Sequence, residues 1–268
     1  MTDTEIETEK LTDLMAFAHQ LADAAARASL PLFRNLETVD NKLTDGFDPV
    51  TAADRDAESA IRALIENHYP SHAILGEEFG SQAGDDFQWI IDPIDGTRAF
   101  MSGMPTWGTL IGLNFEGAPI LGLMDQPFTQ ERFFAAQGQG AHLRHKDTQS
   151  QMSTRPCAAL ETAVLATTSP DLFANTPGAA AWARVFPQAQ LTRYGGDCYN
   201  YALLALGQVD IVMEQELKPV DIQPLIKIVE EAGGILTDWQ GGPAHDGGTA
   251  IACGDKTLHA QLLDILAA

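Results

Sequence analysis

Between residues 109 and 144 four strand-like runs follow one another with only turns between them: Thr109 to Phe115, Pro119 to Asp125, Glu131 to Ala136 and Gly140 to Arg144. None of the intervening segments can hold a helix, so these strands must join as antiparallel hairpins. Two helices precede them. Leu11, Leu14, Met15, Ala18, Leu21, Ala22 and Ala25 recur at helical spacing in a segment that ends near Pro31. A second helix starts at Thr51-Ala-Ala-Asp and runs to about Tyr69-Pro70, followed by short buried strands at Ala73 to Gly76 and Trp89 to Asp92, the latter expected to stop at Pro93.

The second half alternates. Strands are predicted at 163–168, 190–194 and 209–214, with helices around 179–186 and 199–206 between them. Ile222, Leu225, Ile226, Val229 and Ala232 mark the apolar face of a further helix closed by Gly233-Gly234, and two strands and a helix at 258–266 finish the chain. The pattern is α/β (α+β): an antiparallel half over 1–148 carrying most of the candidate metal ligands, and an α/β half over 149–268 completing the site. A soft boundary falls in the polar stretch His145 to Pro156.

The densest chemistry lies in Trp89-Ile-Ile-Asp-Pro-Ile-Asp-Gly-Thr-Arg-Ala-Phe100. An apolar strand ends in Asp92, Pro93 turns the chain, and Asp95 emerges with the Ile94 carbonyl between the two acids. Hard oxygen donors of this kind suit Mg²⁺. Gly96-Thr97 opens a helical turn, whose free N–H groups suit a phosphate. Glu77 leaves another short strand, and Asp221 and Asp54 each stand at a helix start. Any one of these acids could be a turn or cap residue; their joint presence points to a metal site.

The charge balance agrees. There are 16 Lys+Arg against 37 Asp+Glu, a formal charge of -21. Such a field repels nucleic acid and anionic membranes, and a phosphate substrate would need bound cations to reverse the local sign. Cys157, Cys198 and Cys253 are too few and too scattered for a disulfide framework or a zinc site. Met1 to Lys10 lacks the pattern of a signal peptide, and no run of about 18 apolar residues offers a membrane span, so a cytoplasmic protein is expected. The seven histidines show no ligand spacing and read as surface or packing residues.

Gly-Glu-Glu at 76 to 78, Asp-Pro-Ile-Asp-Gly-Thr at 92 to 97 and Val220-Asp221 before a helix ending in Gly-Gly resemble the inositol-monophosphatase family, in order over nearly the whole chain from Pro49 onward. The resemblance implies a layered αβαβα sandwich, usually a homodimer, and Mg²⁺-dependent hydrolysis of small phosphate monoesters with two or three ions per site. By position, Glu77, Asp92 and the Ile94 carbonyl would hold one Mg²⁺ and Asp92, Asp95 and Asp221 a second. Asp54 and Thr97 would orient and help deprotonate the attacking water, and the N–H groups of Gly96 and Thr97 would hold the phosphate. The family often has Trp where Val220 stands.

Within the family, residues 95–110, 195–203 and 216–222 are most similar to the histidinol-phosphate phosphatase branch. Asp197 and Glu214 fall at family positions facing the leaving alcohol, where a carboxylate would pair with the substrate ammonium. Asp197 is equally a candidate cap for the helix at Tyr199, Trp107 either an aromatic wall or a core residue, and Lys42 either a phosphate contact or a loop lysine. An inositol 1-phosphatase, a broad-specificity phosphatase and a non-catalytic metal- or ligand-binding homologue are the alternatives.

Overall fold

The computed structural model describes residues 7–35, 40–41 and 49–267, and Lys42 lies outside them. The first half runs α1 (Thr8–Ser29), a small ribbon of β1 (Asp40–Asn41) and β2 (Pro49–Val50), α2 (Ala52–His68), β3 (Ala73–Gly76), β4 (Gly80–Gln82), β5 (Phe87–Asp95), a short α3 (Thr97–Ser102), then β6 (Gly108–Phe115), β7 (Ala118–Gln126), β8 (Glu131–Ala136), β9 (Ala141–His145) and β10 (Thr148–Gln151). The second half runs β11 (Val164–Thr167), α4 (Ala179–Val185), β12 (Leu191–Tyr194), α5 (Tyr199–Ala205), β13 (Ile211–Leu217), α6 (Pro219–Glu231), β14 (Ile235–Thr237), β15 (Gly248–Cys253) and α7 (Lys256–Ala267).

Among the described residues the first half forms an eight-stranded sheet in the order β10-β9-β8-β7-β6-β5-β3-β4, and the second a five-stranded sheet in the order β12-β11-β13-β15-β14. Strands β6 to β9 are joined by antiparallel neighbours as expected, β5 and β10 extend that antiparallel run at its two ends, and β11 pairs in parallel with β12 and β13.

Side-chain alternation sorts these sheets into five layers. Ile91, Ile111, Leu123 and Phe134 of the large sheet pack under α1 and α2, together with all seven periodic α1 residues. Leu110, Met124 and Phe133 point the other way, into a core shared with α5, α6 and one face of the small sheet, Ala166, Val212 and Ala252. The opposite small-sheet face, Leu165, Ile211 and Ile251, packs on α4 and α7. This is the αβαβα sandwich.

The centre of the sandwich depends on one close approach. Gly112 and Gly122 are cross-strand partners on β6 and β7. A Cβ on Gly122 would lie 1.9 Å from the Pro224 carbonyl oxygen of α6, and one on Gly112 would lie 3.3 Å from the Pro224 Cα. The paired glycines cut a notch into which α6 settles. Asn114 Nδ2 then donates to Gln223 Oε1 at 2.7 Å, fixing the helix along the sheet. Because α6 carries Asp221 in its first turn, this notch sets where that acid arrives.

Two local expectations differ from the structure. Strand β5 does not stop at Pro93 but reaches Asp95, with its register against β6 shifting between Asp92 and Asp95. Proline lacks an N–H for the ladder, and the irregularity places it where none is required. The polar stretch beginning at His145 contains β10, whose residues are all exposed. An edge strand bare on both faces leaves no apolar alternation in the sequence.

Candidate active site

The large sheet delivers two loops to one place. After β3, the Glu77 N–H donates to the Ile91 carbonyl at 3.1 Å, tying that loop to β5. Glu58 of α2 grips it from below, accepting from Glu78 N at 2.7 Å and Phe79 N at 3.2 Å while paired to Arg62 at 2.7 Å. A Cβ on Gly76 would sit 1.9 Å from Glu58 Oε1, so glycine is required for the grip. Glu58 is fully buried, and its only mark in the sequence is the i,i+4 spacing to Arg62.

At the end of β5, Asp92 Oδ1 accepts from Ile94 N at 3.0 Å and Thr109 Oγ1 donates to the Pro93 carbonyl at 2.8 Å, so the irregular segment is held at both ends. The Thr97 hydroxyl donates to the Ile94 carbonyl at 3.2 Å. Gly96 takes φ 81°, and its missing side chain leaves room for Asp197, whose Cβ would lie 3.1 Å from a Cβ there. Asp95 Oδ2 accepts from Cys198 N at 2.8 Å, which ties the α5 entry to β5 across 103 residues.

The second half contributes Asp221, at the third position of α6, where its Oδ2 accepts from Lys218 N at 2.7 Å. It is therefore a helix-start acid and a site residue at once. Val220 is buried beside it. Lys218 reaches across to Glu77 Oε1 at 2.9 Å, a contact between residues 141 apart that no local pattern foretells.

Carboxylate oxygens of Asp92, Asp95 and Asp221 all lie within 4.8 Å of one another. Burial raises the Asp92 carboxyl well above the ordinary range, and Glu77, Asp95, Asp221 and Asp54 push it further. Burial likewise raises Asp95, with Asp197 and Asp221 adding to it. Asp54 is fully buried; its Oδ2 accepts from Thr51 N at 2.9 Å and Thr51 Oγ1 at 2.6 Å, while its Oδ1 has no hydrogen-bond partner among the described residues. Five acids that repel one another, with a buried oxygen left unsatisfied, form a donor set that fits hard divalent cations.

Beside this cluster stand the two candidate specificity acids. Burial pushes Asp197 up to about 6, with Arg98 opposing. Burial pushes Glu214 up to about 8, with hydrogen bonds from Thr168 opposing and Asp197 adding. Thr168 N donates to Glu214 Oε1 at 2.6 Å. Asp197 adopts φ 45° and its carbonyl accepts from Asn200 N at 3.1 Å. Tyr201 joins this side from α5; its buried hydroxyl has no hydrogen-bond partner among the described residues, and burial raises its pKa, Glu214 and Asp95 adding.

Other candidates fall away. Trp107 is fully buried between Phe33 and Phe100, a core residue rather than a wall. The three cysteines are unpaired, and burial holds the Cys198 and Cys253 thiols high, which makes them poor nucleophiles. His72 stacks between Tyr69 and Phe87.

An αβαβα sandwich with an acidic cluster at the end of a bulged strand defines a class of metal-dependent phosphatases acting on small phosphate monoesters. A sequence model of the inositol monophosphatase family matches residues 10–268, and the chain belongs to that family. It is 41% identical to the bifunctional phosphatase IMPL2 of Arabidopsis thaliana over 98% of this chain and 78% of that one. It is 36% identical to a histidinol-phosphatase of Mycobacterium tuberculosis, covering 94% of this chain and 96% of that one. An inositol monophosphatase structure from Zymomonas mobilis superposes with a TM-score of 0.86 at 39% identity, covering 98% of this chain and all of that one. No helix among the described residues is long and apolar enough to cross a membrane.

Proposed function

We propose that this chain is a Mg²⁺-dependent L-histidinol-phosphate phosphatase. The observation that carries the substrate is the pair of carboxylates Asp197 and Glu214, with Asp197 close enough to repel both Glu214 and Asp95. Histidinol phosphate brings an ammonium and an imidazole, whereas inositol phosphate brings only hydroxyls. An acidic pair of which Glu214 is buried and Asp197 half-buried gains from the first and gains little from the second. The histidinol-phosphatase relative supports the same reading.

In this reading Glu77, Asp92 and the Ile94 carbonyl hold one Mg²⁺, and Asp92, Asp95 and Asp221 hold a second. When bound, the ions supply a water of lowered pKa and neutralise charge on the phosphoryl group. Asp54 keeps Oδ2 occupied by Thr51 and offers Oδ1 to the proton of the attacking water, with Thr97 orienting that water. The N–H groups of Gly96 and Thr97, at a helix start without intrahelical acceptors, receive the phosphate oxygens. Asp197 and Glu214 bind the leaving-alcohol portion. The working form is a cytoplasmic homodimer, each subunit's site built from halves 1–148 and 149–268.

Inositol 1-phosphate is the second reading, favoured by the Zymomonas mobilis structure. Phosphate release from L-histidinol phosphate and inositol 1-phosphate, measured side by side with Mg²⁺, decides between them. A kcat/KM preference for histidinol phosphate of about 100-fold, reduced at least tenfold in Asp197→Ala, is the expected result. Equal or greater turnover of inositol 1-phosphate would remove the specificity role of Asp197 and Glu214 and leave the metal assignment intact. Hydrolysis of neither substrate, nor of other small phosphates, would favour a non-catalytic homologue.

A further inference from the structure

A protein with 16 cationic side chains and a formal charge of -21 has few cations to place together. Three of them nonetheless line one cavity of about 280 Å³ where β7, β8 and β9 meet the end of α1: Arg132, Arg144 and Lys146. Arg132 is engaged, donating to Asp125 Oδ1 at 2.6 Å, Asp23 Oδ1 at 2.7 Å and the His19 carbonyl at 3.2 Å. Arg144 is not. It stands directly across the β8–β9 ladder from Arg132, and its side chain makes no hydrogen bond or ion pair among the described residues. Like charges in that position repel, and burial with Arg132 beside it holds the Arg144 guanidinium below its usual range. Lys146, one turn onward at φ 55°, is exposed, its backbone pinned to the Gln130 carbonyl at 3.1 Å. Against these three cations stand two carboxylates, Asp125 and Asp23, so the cavity keeps a positive excess.

We propose that this cavity binds a small oxyanion, as the phosphate or carboxylate group of a compact organic molecule. The Arg144 fork and the Lys146 ammonium supply the donors, and Ala26, Leu30 and Pro127 form a short apolar floor for the remainder of the ligand. The volume holds only a small molecule. The site is connected to the catalytic centre by one cross-strand row: Arg144 opposite Arg132, Arg132 opposite Asp125, Asp125 opposite Thr109. Thr109 holds the Pro93 carbonyl at 2.8 Å between Asp92 and Asp95. An anion held beside Arg144 changes the charge balance around the Arg132–Asp125 contact, midway along a row that terminates in the irregular segment of β5, so its occupancy changes turnover.

The test uses sulfate and succinate, one probe of each oxyanion type, titrated calorimetrically into the full chain in chelator at constant ionic strength. Without metal the acidic catalytic cluster repels anions, so binding reports on this cavity and requires no assumption about the substrate. Saturable binding of at least one probe is expected, weakened at least tenfold in Arg144→Gln and also weakened in Lys146→Ala, an exposed position that leaves the fold intact. Absence of binding, or binding unchanged in both variants, would overturn the site. With Mg²⁺ present, the bound probe should shift kcat at saturating substrate, which simple competition at the catalytic centre does not do. An unchanged kcat in the presence of bound probe would overturn the coupling along the row.

Discussion

Asp125 and Asp92 are both nearly inaccessible, 4% and 2% exposed, and they sit on neighbouring parts of one sheet. Burial raises both carboxyls, but their surroundings then act in opposite directions. Arg132 lies 2.6 Å from Asp125 and pulls its pKa back down. Around Asp92 the neighbours are Glu77, Asp95, Asp221 and Asp54, each pushing it further up. One acid has its counter-charge from the chain itself, although its Oδ2 makes no hydrogen bond among the described residues; the other is assembled so that its cation must come from solution. A buried charge without a counterion is among the most costly arrangements in a folded protein, so the second arrangement is the mark of a binding site.

The contrast is broken most directly by removing one oxygen donor from the catalytic cluster. Asp95→Asn should lower kcat/KM by about three orders of magnitude or more, since a metal ligand contributes several kcal/mol to transition-state stabilisation. Its urea midpoint in chelator should hold, because the change removes repulsion and not packing. Full activity in that variant would end the metal assignment.

Stability in chelator gives the next largest effect. Arg132→Met strands Asp125 without its cation and should cost about 3–5 kcal/mol. Asp92→Asn should be neutral or stabilising under the same conditions, because it removes one member of a repelling group. Urea titrations of both variants separate the two environments; equal losses would show that the acids differ only in name. Adding Mg²⁺ then reverses which variant responds more. Binding to the folded state at 100 times Kd adds about 2.7 kcal/mol to the wild-type protein, and the gain should shrink in Asp92→Asn and persist in Arg132→Met to the extent that variant folds.

The two environments were not equally legible in the sequence. Asp92, Asp95 and Gly96 announce themselves because an apolar strand running into Asp-Pro-Ile-Asp-Gly-Thr has few other uses. The periodic faces of α1 and α6 were legible for a similar reason: a stripe every three to four residues has one physical solution. The Asp125–Arg132 pair was silent, since strand residues seven apart meet only once a hairpin fixes their register. Glu58 and Lys218 were silent too, their partners lying 20 and 141 residues away in the chain. The extension of β5 past Pro93 was misread because a proline normally ends a ladder, and the edge strand β10 because exposure on both faces erases alternation.

The smallest effect concerns Glu214, which belongs to neither extreme. It is buried like Asp92 yet held by Thr168, and its carboxyl rises from 4.5 to about 8. Between those values the folded chain keeps a proton that the unfolded chain has released. The unfolded state therefore binds fewer protons, and stability in chelator should fall as pH rises through that window. Asp197, raised to about 6, acts with the same sign over its own narrower range. Glu214→Gln carries no titrating proton, so its stability should decline less steeply, by at most about 1.4 kcal/mol per pH unit. Urea midpoints at stepped pH values in chelator measure the difference. A variant with the wild-type slope would mean that Glu214 ionises in the folded chain as readily as in the unfolded one. A shallower slope would place it with Asp92, as an acid whose charged form awaits a cation, in this case the ammonium of the proposed substrate.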